Sequence, residues 1–148
     1  MHPALLSRDN DAYREFSNFA PYPIELKGKV WPTAEHYFQA QKFPGTEHEE
    51  TIRRASSPML AANQGRDRSR PLRPDWEAVK DAIMYEAILA KFTQHAPVRE
   101  LLLATGDIVL VQHSASDSYW GDGGNGSGRN RLGQILCEVR AALRHPRS

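Results

Sequence analysis

The chain has 148 residues, 40% apolar and 25% charged, with a formal net charge of +1. That length fits one domain with its own core, and the balanced charge gives no long-range attraction to nucleic acid. The one cysteine, Cys137, excludes an internal disulfide and a cysteine-built zinc site. No apolar run approaches the roughly 20 residues of a membrane span, and Met1, His2 and Pro3 do not open a secretory signal, so a cytoplasmic protein is expected.

Leu5 and Leu6 begin a short strand, and residues 9–11, Asp-Asn-Asp, read as a turn. The stretch FSNFAPYP (16–23) is irregular, because its two prolines oppose a helix. Residues 24–26 and 29–31 flank Lys27-Gly28 as a small hairpin, although the turn lacks the preferred Asn-Gly or Asp-Gly. Then comes WPTAEHYFQAQKF (31–43). Thr33 is a natural N-cap, so a helix starts there and runs until Pro44-Gly45 stops it. Glu35 falls in the first turn, where the helix dipole favours its charge. Glu35, Gln39 and Lys42 lie at i, i+4 and i+7 and share one face. A solvated face and a functional face remain equal readings, because His36 and three aromatics crowd it.

Residues 47–55 form a charged helical segment, read as exposed. Ser57 caps a short helix with Pro58 at its first position and Gly65 at its end. Residues 66–73, RDRSRPLR, carry four arginines and one aspartate. A solvated loop is the ordinary fate of such a run; a phosphate clamp is the functional one, since guanidinium forks match phosphate oxygens. Pro74-Asp75 opens the longest helix, with an apolar stripe of Trp76, Val79, Ile83, Ala87, Ala90 and Phe92. By default Trp76 anchors the core. A further helix runs from Pro97 through Leu103 to Gly106, and residues 108–111 are the clearest strand.

Five glycines then sit in the eight residues 121–128, after Tyr119-Trp120 and before Arg129. Leu132, Ile135, Leu136, Val139 and Leu143 repeat with helical spacing directly behind them. A glycine-rich loop opening a helix, with an arginine beside it, suits a phosphate through backbone N–H groups such as that of Gly124. The fold expected is α+β: one predominantly helical domain over residues 1–148 with a few short strands.

The histidines form no metal-ligand pattern, and no nucleophile elbow is present. No metal or cofactor is expected. The remaining chemistry is that of carboxylates. Glu35 and Asp122, set among aromatics and glycines, suit cleavage of a glycosidic bond. That reaction builds positive charge on the sugar and needs a proton for the leaving group.

Taken together, FSNFAPYP (16–23), WPTAEHYFQAQKF (31–43), GRDRSR (65–70), Trp76, AKF (90–92) and YWGDGG (119–124) resemble the YbiA family, also called NADAR, over residues 5–143. The resemblance implies an N-glycosidase. Family members of this kind hydrolyse phosphorylated ribosylaminopyrimidines of early riboflavin synthesis to ribose 5-phosphate and a base; others remove ADP-ribose from guanine in nucleic acid. The family's site residues carry over to Glu35, Trp76 and Asp122, and further to Asn18, His36, Lys42 and Trp120. Where the family shows an aromatic pair near the first strand, this chain has Leu6-Ser7. Arg8 keeps a basic residue there that would face a phosphate.

The combined expectation is a metal-free N-glycosidase for a small phosphorylated ribosyl N-glycoside. Glu35 and Asp122 are its catalytic pair, their roles left open between them. Arg8, Asn18, His36, Lys42, Arg66, Arg68, Trp76, Trp120, Gly124 and Arg129 bind substrate. The alternatives are an ADP-ribosyl hydrolase acting on guanine bases, which alone would bring in nucleic acid, and a nucleotide-binding module without catalysis.

Overall fold

A computed structural model describes residues 3–6 and 11–145; the expected turn at 9–11 and Arg8 lie outside them, apart from the backbone of Asp11. In chain order the elements are β1 (Ala4–Leu6), a short 3-10 segment (Asp11–Phe16), β2 (Ile24–Leu26), β3 (Lys29–Trp31), α1 (Ala34–Ala40), α2 (Glu47–Arg53), α3 (Pro58–Gly65), α4 (Trp76–Gln94), α5 (Ala96–Ala104), β4 (Leu110–Gln112) and α6 (Arg131–Arg144). The class is α+β and mainly helical, as the sequence predicts. By their internal contacts the residues fall into two compact units, 18–91 and the pair 1–17 with 92–148. Each is described by itself.

In residues 18–91, β2 and β3 pair antiparallel with Ile24 opposite Trp31. Lys27 and Gly28 both take positive φ, 56° and 73°, as the tightest hairpin turns require. Lysine is a poor choice there, but its ammonium donates to Gln41 Oε1 at 2.6 Å and anchors the turn. Thr33 caps α1, its Oγ1 accepting from the His36 amide at 3.2 Å. The helix ends at Ala40, three residues before the expected Phe43. Lys42 and Phe43 instead donate to the Gln39 and Ala40 carbonyls, tightening the last turn to i→i+3 bonds.

The segment expected to be exposed, α2, buries Ile52 and Glu49. Glu49 earns that place by accepting from Gln41 Nε2 at 2.8 Å and from the Gly45 amide at 3.3 Å, which seals the chain leaving α1. Ser57 caps α3 through the Leu60 amide as expected. Ile24, Trp31, Tyr37, Phe43 and Ile52 pack in one apolar cluster. Trp31 and Tyr37 meet edge to face at 5.0 Å, a geometry worth about 0.5–1.5 kcal/mol beyond burial. In α4 the expected stripe is buried at Trp76, Ala87, Ala90 and Phe92 and half-buried at Val79 and Ile83, and Met84, Ile88 and Lys91 widen the buried face. Lys91, fully buried, lies 5.4 Å from the Tyr22 ring centroid.

In the other unit β1 runs parallel to β4, Ala4 beside Leu110 and Leu6 beside Gln112. The strand begins two residues later than 108–111 implied. The Asn130 side chain acts as a third strand: its Oδ1 accepts from the Gln112 amide at 2.8 Å and its Nδ2 donates to the Leu110 carbonyl at 3.0 Å. That seats the start of α6 against β4. Leu132, Ile135, Leu136 and Val139 are buried on α6 as predicted.

Candidate active site

Two clusters of chemistry-bearing side chains emerge, one in each unit. The first is built on α1, α3 and the residues that follow α3. Glu35 is 7% exposed. Its amide donates to the Asn18 carbonyl at 3.1 Å, and its Oε2 accepts from Gln39 Nε2 at 3.2 Å. Asn18 thus holds the start of α1 through its backbone, while its side-chain amide meets Met84 Sδ at 3.3 Å.

Gly65 lets α3 approach α1. A Cβ built there would stand 2.1 Å from Gln39 Oε1 and 2.8 Å from Gln39 Cβ. The Gly65 carbonyl then accepts from Lys42 Nζ at 3.2 Å, and the ammonium lies 5.7 Å from the Trp76 ring centroid. Burial lowers the pKa of this ammonium; Glu35 draws it back up, and Arg66 pushes it further down. The row Glu35, Gln39, Lys42 that helical spacing predicted is therefore a largely buried polar row.

That row ends at a groove of about 540 Å³, lined by Lys42, Gly65, Arg66, Arg68, Arg70 and Trp76 among others. The four arginines of the run part company here. Arg73 pairs with Asp75 and donates to the Gln41 carbonyl. Arg70 is spent on His48 and Asp67. Arg66 and Arg68 make no side-chain hydrogen bond or ion pair among the described residues, and both are exposed. Trp76 serves both expectations. It packs on Phe38, ring centroids 5.1 Å apart, and it also lines the groove.

His36 stands apart from this groove. It is 1% exposed, and both ring nitrogens are engaged. Nε2 lies 3.0 Å from the Ala55 carbonyl, which can only accept, so Nε2 carries the proton. Nδ1 is then an acceptor for the Thr33 hydroxyl at 2.8 Å. Burial lowers its pKa. The ring fastens the α1 cap to the end of α2, and this corrects the expectation that it meets substrate.

The second cluster surrounds Asp122, which is 6% exposed. Its Oδ1 accepts from the Ser114 amide at 3.1 Å and the Gly124 amide at 2.8 Å; its Oδ2 meets His113 Nδ1 at 2.9 Å. These bonds, the one to His113 foremost, hold the carboxyl near a pKa of about 2. Asp122 is therefore ionised. The sequence, whose histidines form no metal-ligand pattern, does not single out His113. It stands just past β4, ahead of the glycine-rich loop.

The loop amides expected to receive a phosphate are largely committed. Gly123 donates to Asp117 O, Gly126 and Gly128 to Asp122 O, and Arg129 to Ser118 O. At the start of α6, Arg131 and Leu132 donate to the Tyr119 and Trp120 carbonyls. Gly124 has φ 89°, and a Cβ there would come within 2.9 Å of Ala115 Cα. Its glycine is thus explained by backbone geometry and packing. Trp120 packs edge to face on Tyr119 at 4.8 Å, and the Arg129 guanidinium lies 5.1 Å from the Tyr119 ring centroid. Among the described residues no group of three or more His, Cys, Asp or Glu could hold a metal ion. No described helix is long and apolar enough to cross a membrane.

The NADAR domain model matches residues 6–144. The chain is 59% identical over 134 residues to the N-glycosidase YbiA of Escherichia coli (strain K12), covering 90% of this chain and 84% of that one. It is 48% identical over 136 residues to an N-glycosidase of Nostoc punctiforme, covering 90% and 87%. It is 38% identical to the chloroplastic riboflavin biosynthesis protein PYRR of Zea mays, covering 90% of this chain and 24% of that longer one. The NMR structure of the E. coli YbiA protein superposes with a TM-score of 0.86 at 55% identity, covering 97% of this chain and 87% of that one.

Proposed function

This chain belongs to the NADAR family, and from that premise we propose that its substrate is a phosphorylated ribosylaminopyrimidine of riboflavin synthesis, cleaved to ribose 5-phosphate and the free base. It is an N-glycosidase, like its relatives of that name. The riboflavin biosynthesis proteins among its relatives favour the pathway. A cytoplasmic setting fits such a substrate.

The observation that carries the phosphate is the groove, where Arg66 and Arg68 make no side-chain hydrogen bond or ion pair among the described residues and the half-buried Lys42 lies beside Trp76. Charge-assisted bonds from such donors to a phosphate are each worth about 1.5–3 kcal/mol. The flat indole of Trp76 offers a face for a base or a sugar. Glu35 carries negative charge at the head of the same polar row. It steadies the positive charge that grows on C1′ as the C–N bond breaks, or takes the proton of the attacking water. Asp122 stays ionised under its three donors, so it does not protonate the leaving nitrogen; its charge serves the loop and His113. Trp120 and Arg129 set an aromatic and a cationic group on that loop.

The test is a parallel assay. The purified protein is offered the ribosylaminopyrimidine phosphates, ADP-ribosylated guanosine and NAD, and the released base is identified. Release of aminopyrimidine with ribose 5-phosphate supports the reading. Release of guanine in preference to it would put the second family activity in its place. Binding without release of any base would leave only a nucleotide-binding module.

A further inference from the structure

We infer that Gln39 is the positioning residue of Glu35: its side-chain amide keeps that carboxylate ionised and aimed, and the fold gives up stability for it. The inference rests on the reading of Glu35 as the reacting carboxylate and deepens it. All the residues it uses lie in the unit of residues 18–91. Gln39 is 4% exposed, and its two amide atoms fare differently. Nε2 donates to Glu35 Oε2 at 3.2 Å. Oε1 is buried with no hydrogen-bond partner among the described residues. It lies over Gly65, where the nearest neighbour of an added Cβ would be this oxygen.

The amide cannot improve on this by turning over. That would set Oε1 against a carboxylate oxygen, two acceptors with no proton between them. The orientation seen is the one an ionised Glu35 requires. The orphaned oxygen then decides between packing and function. A buried acceptor without a donor loses more stability than an amide–carboxylate pair at i, i+4 returns on a helix. Methionine, unbranched and of similar length, would fill the same space with no such group to satisfy. A residue that only packed α1 against α3 is therefore better apolar, and the amide is accounted for by the bond it gives Glu35.

Lys42, the third member of the row, has a different part. Its ammonium is bonded to the Gly65 carbonyl and acts on Glu35 through charge alone. Gln39 supplies direction, because a hydrogen bond has one geometry and a point charge has none. A donor on a carboxylate oxygen also favours the charged form. Gln39 itself neither gives nor takes a proton in the reaction.

The experiment follows kcat against pH on a ribosylaminopyrimidine 5-phosphate for the parent, Gln39→Met, Gln39→Glu and Glu35→Gln, with urea denaturation of each. Gln39→Met should unfold no earlier than the parent. Its kcat should fall about 10- to 100-fold, and the acid limb of its profile should move up by about one pH unit. The sign follows from the lost donor: without it the carboxylate takes up its proton at higher pH, and the ionised form is the working one. Gln39→Glu keeps the shape of the side chain but sets a second carboxylate beside the first. Two such groups share a proton, so the limb moves up further. A purely structural role would lower kcat evenly at every pH. An acid limb unmoved in both Gln39 variants, with Glu35→Gln inactive, overturns this inference alone. Ordinary turnover by Glu35→Gln overturns the role of Glu35 and this inference with it.

Discussion

Gly65→Ala is the most informative single substitution away from the reacting groups. The new Cβ would lie 2.1 Å from Gln39 Oε1 and 2.8 Å from both Gln39 Cβ and Cδ. Rotation of the amide relieves the first contact, but Cβ cannot swing away, so α3 must shift from α1. Overpacking of this kind costs about 1–3 kcal/mol, equivalent to roughly 2–12 °C in Tm at this chain length. Displacing Gln39 also removes its 3.2 Å bond to Glu35 and disturbs the Lys42 bond to the Gly65 carbonyl. Turnover therefore falls together with stability. The assay is urea denaturation and kcat for the two single variants and the pair Gly65→Ala with Gln39→Ala. The second change removes Cδ and Oε1 and leaves only the Cβ contact, so the pair is less unstable than the sum of the singles. Strict additivity, or a Gly65→Ala protein as stable as the parent, would refute the packing argument.

Glu35→Gln should lower turnover by about 10²–10⁴-fold with near-normal stability; ordinary turnover in a folded Glu35→Gln protein removes it from the chemistry. Arg66→Ala or Arg68→Ala should cost about 10- to 150-fold in kcat/KM on the phosphorylated substrate and little on its dephosphorylated nucleoside; an unchanged ratio between the two would reject the clamp. Activity should survive exhaustive EDTA treatment, and a loss restored by one divalent ion would contradict this. Asp122 is held near a pKa of about 2, below its ordinary 3.8. Its contribution to stability is thus full above about pH 4 and is lost as pH falls through about 2. The stability gap between parent and Asp122→Asn, measured by urea denaturation, should close over that window; a gap constant from pH 6 to pH 2 would mean the carboxylate is not so held.

Much of the fold was legible because local chemistry and tertiary structure agree. Thr33 and Ser57 cap where their positions require, and Leu132 to Val139 bury the face their spacing marks. What was hidden depended on partners distant in sequence. Lys27 holds a turn conformation that disfavours it because Gln41 accepts its ammonium. Glu49 is buried because it seals the end of α1. In the site, the Glu35–Gln39–Lys42 row was readable from helical period, but Gly65 read only as a helix end. Nothing local says that Gln39 lies over it. The sequence singles out Arg66 and Arg68 in the arginine run, but only the fold shows that Arg70 and Arg73 are already paired. The glycine-rich loop invited a phosphate, yet its amides close on Asp117, Ser118 and Asp122. A backbone bond inside a loop leaves no mark in composition.

If the groove and Glu35 serve cleavage of a phosphorylated ribosyl N-glycoside, the 5-phosphate must raise kcat/KM. The most direct measurement is kcat/KM of the wild type on a ribosylaminopyrimidine 5-phosphate and on the same nucleoside without phosphate, with products followed by NMR. Ribose 5-phosphate and free base are expected in equal amounts, with a preference for the phosphorylated substrate of about tenfold or more. Equal kcat/KM for the two substrates, or consumption of substrate without free base, would contradict it.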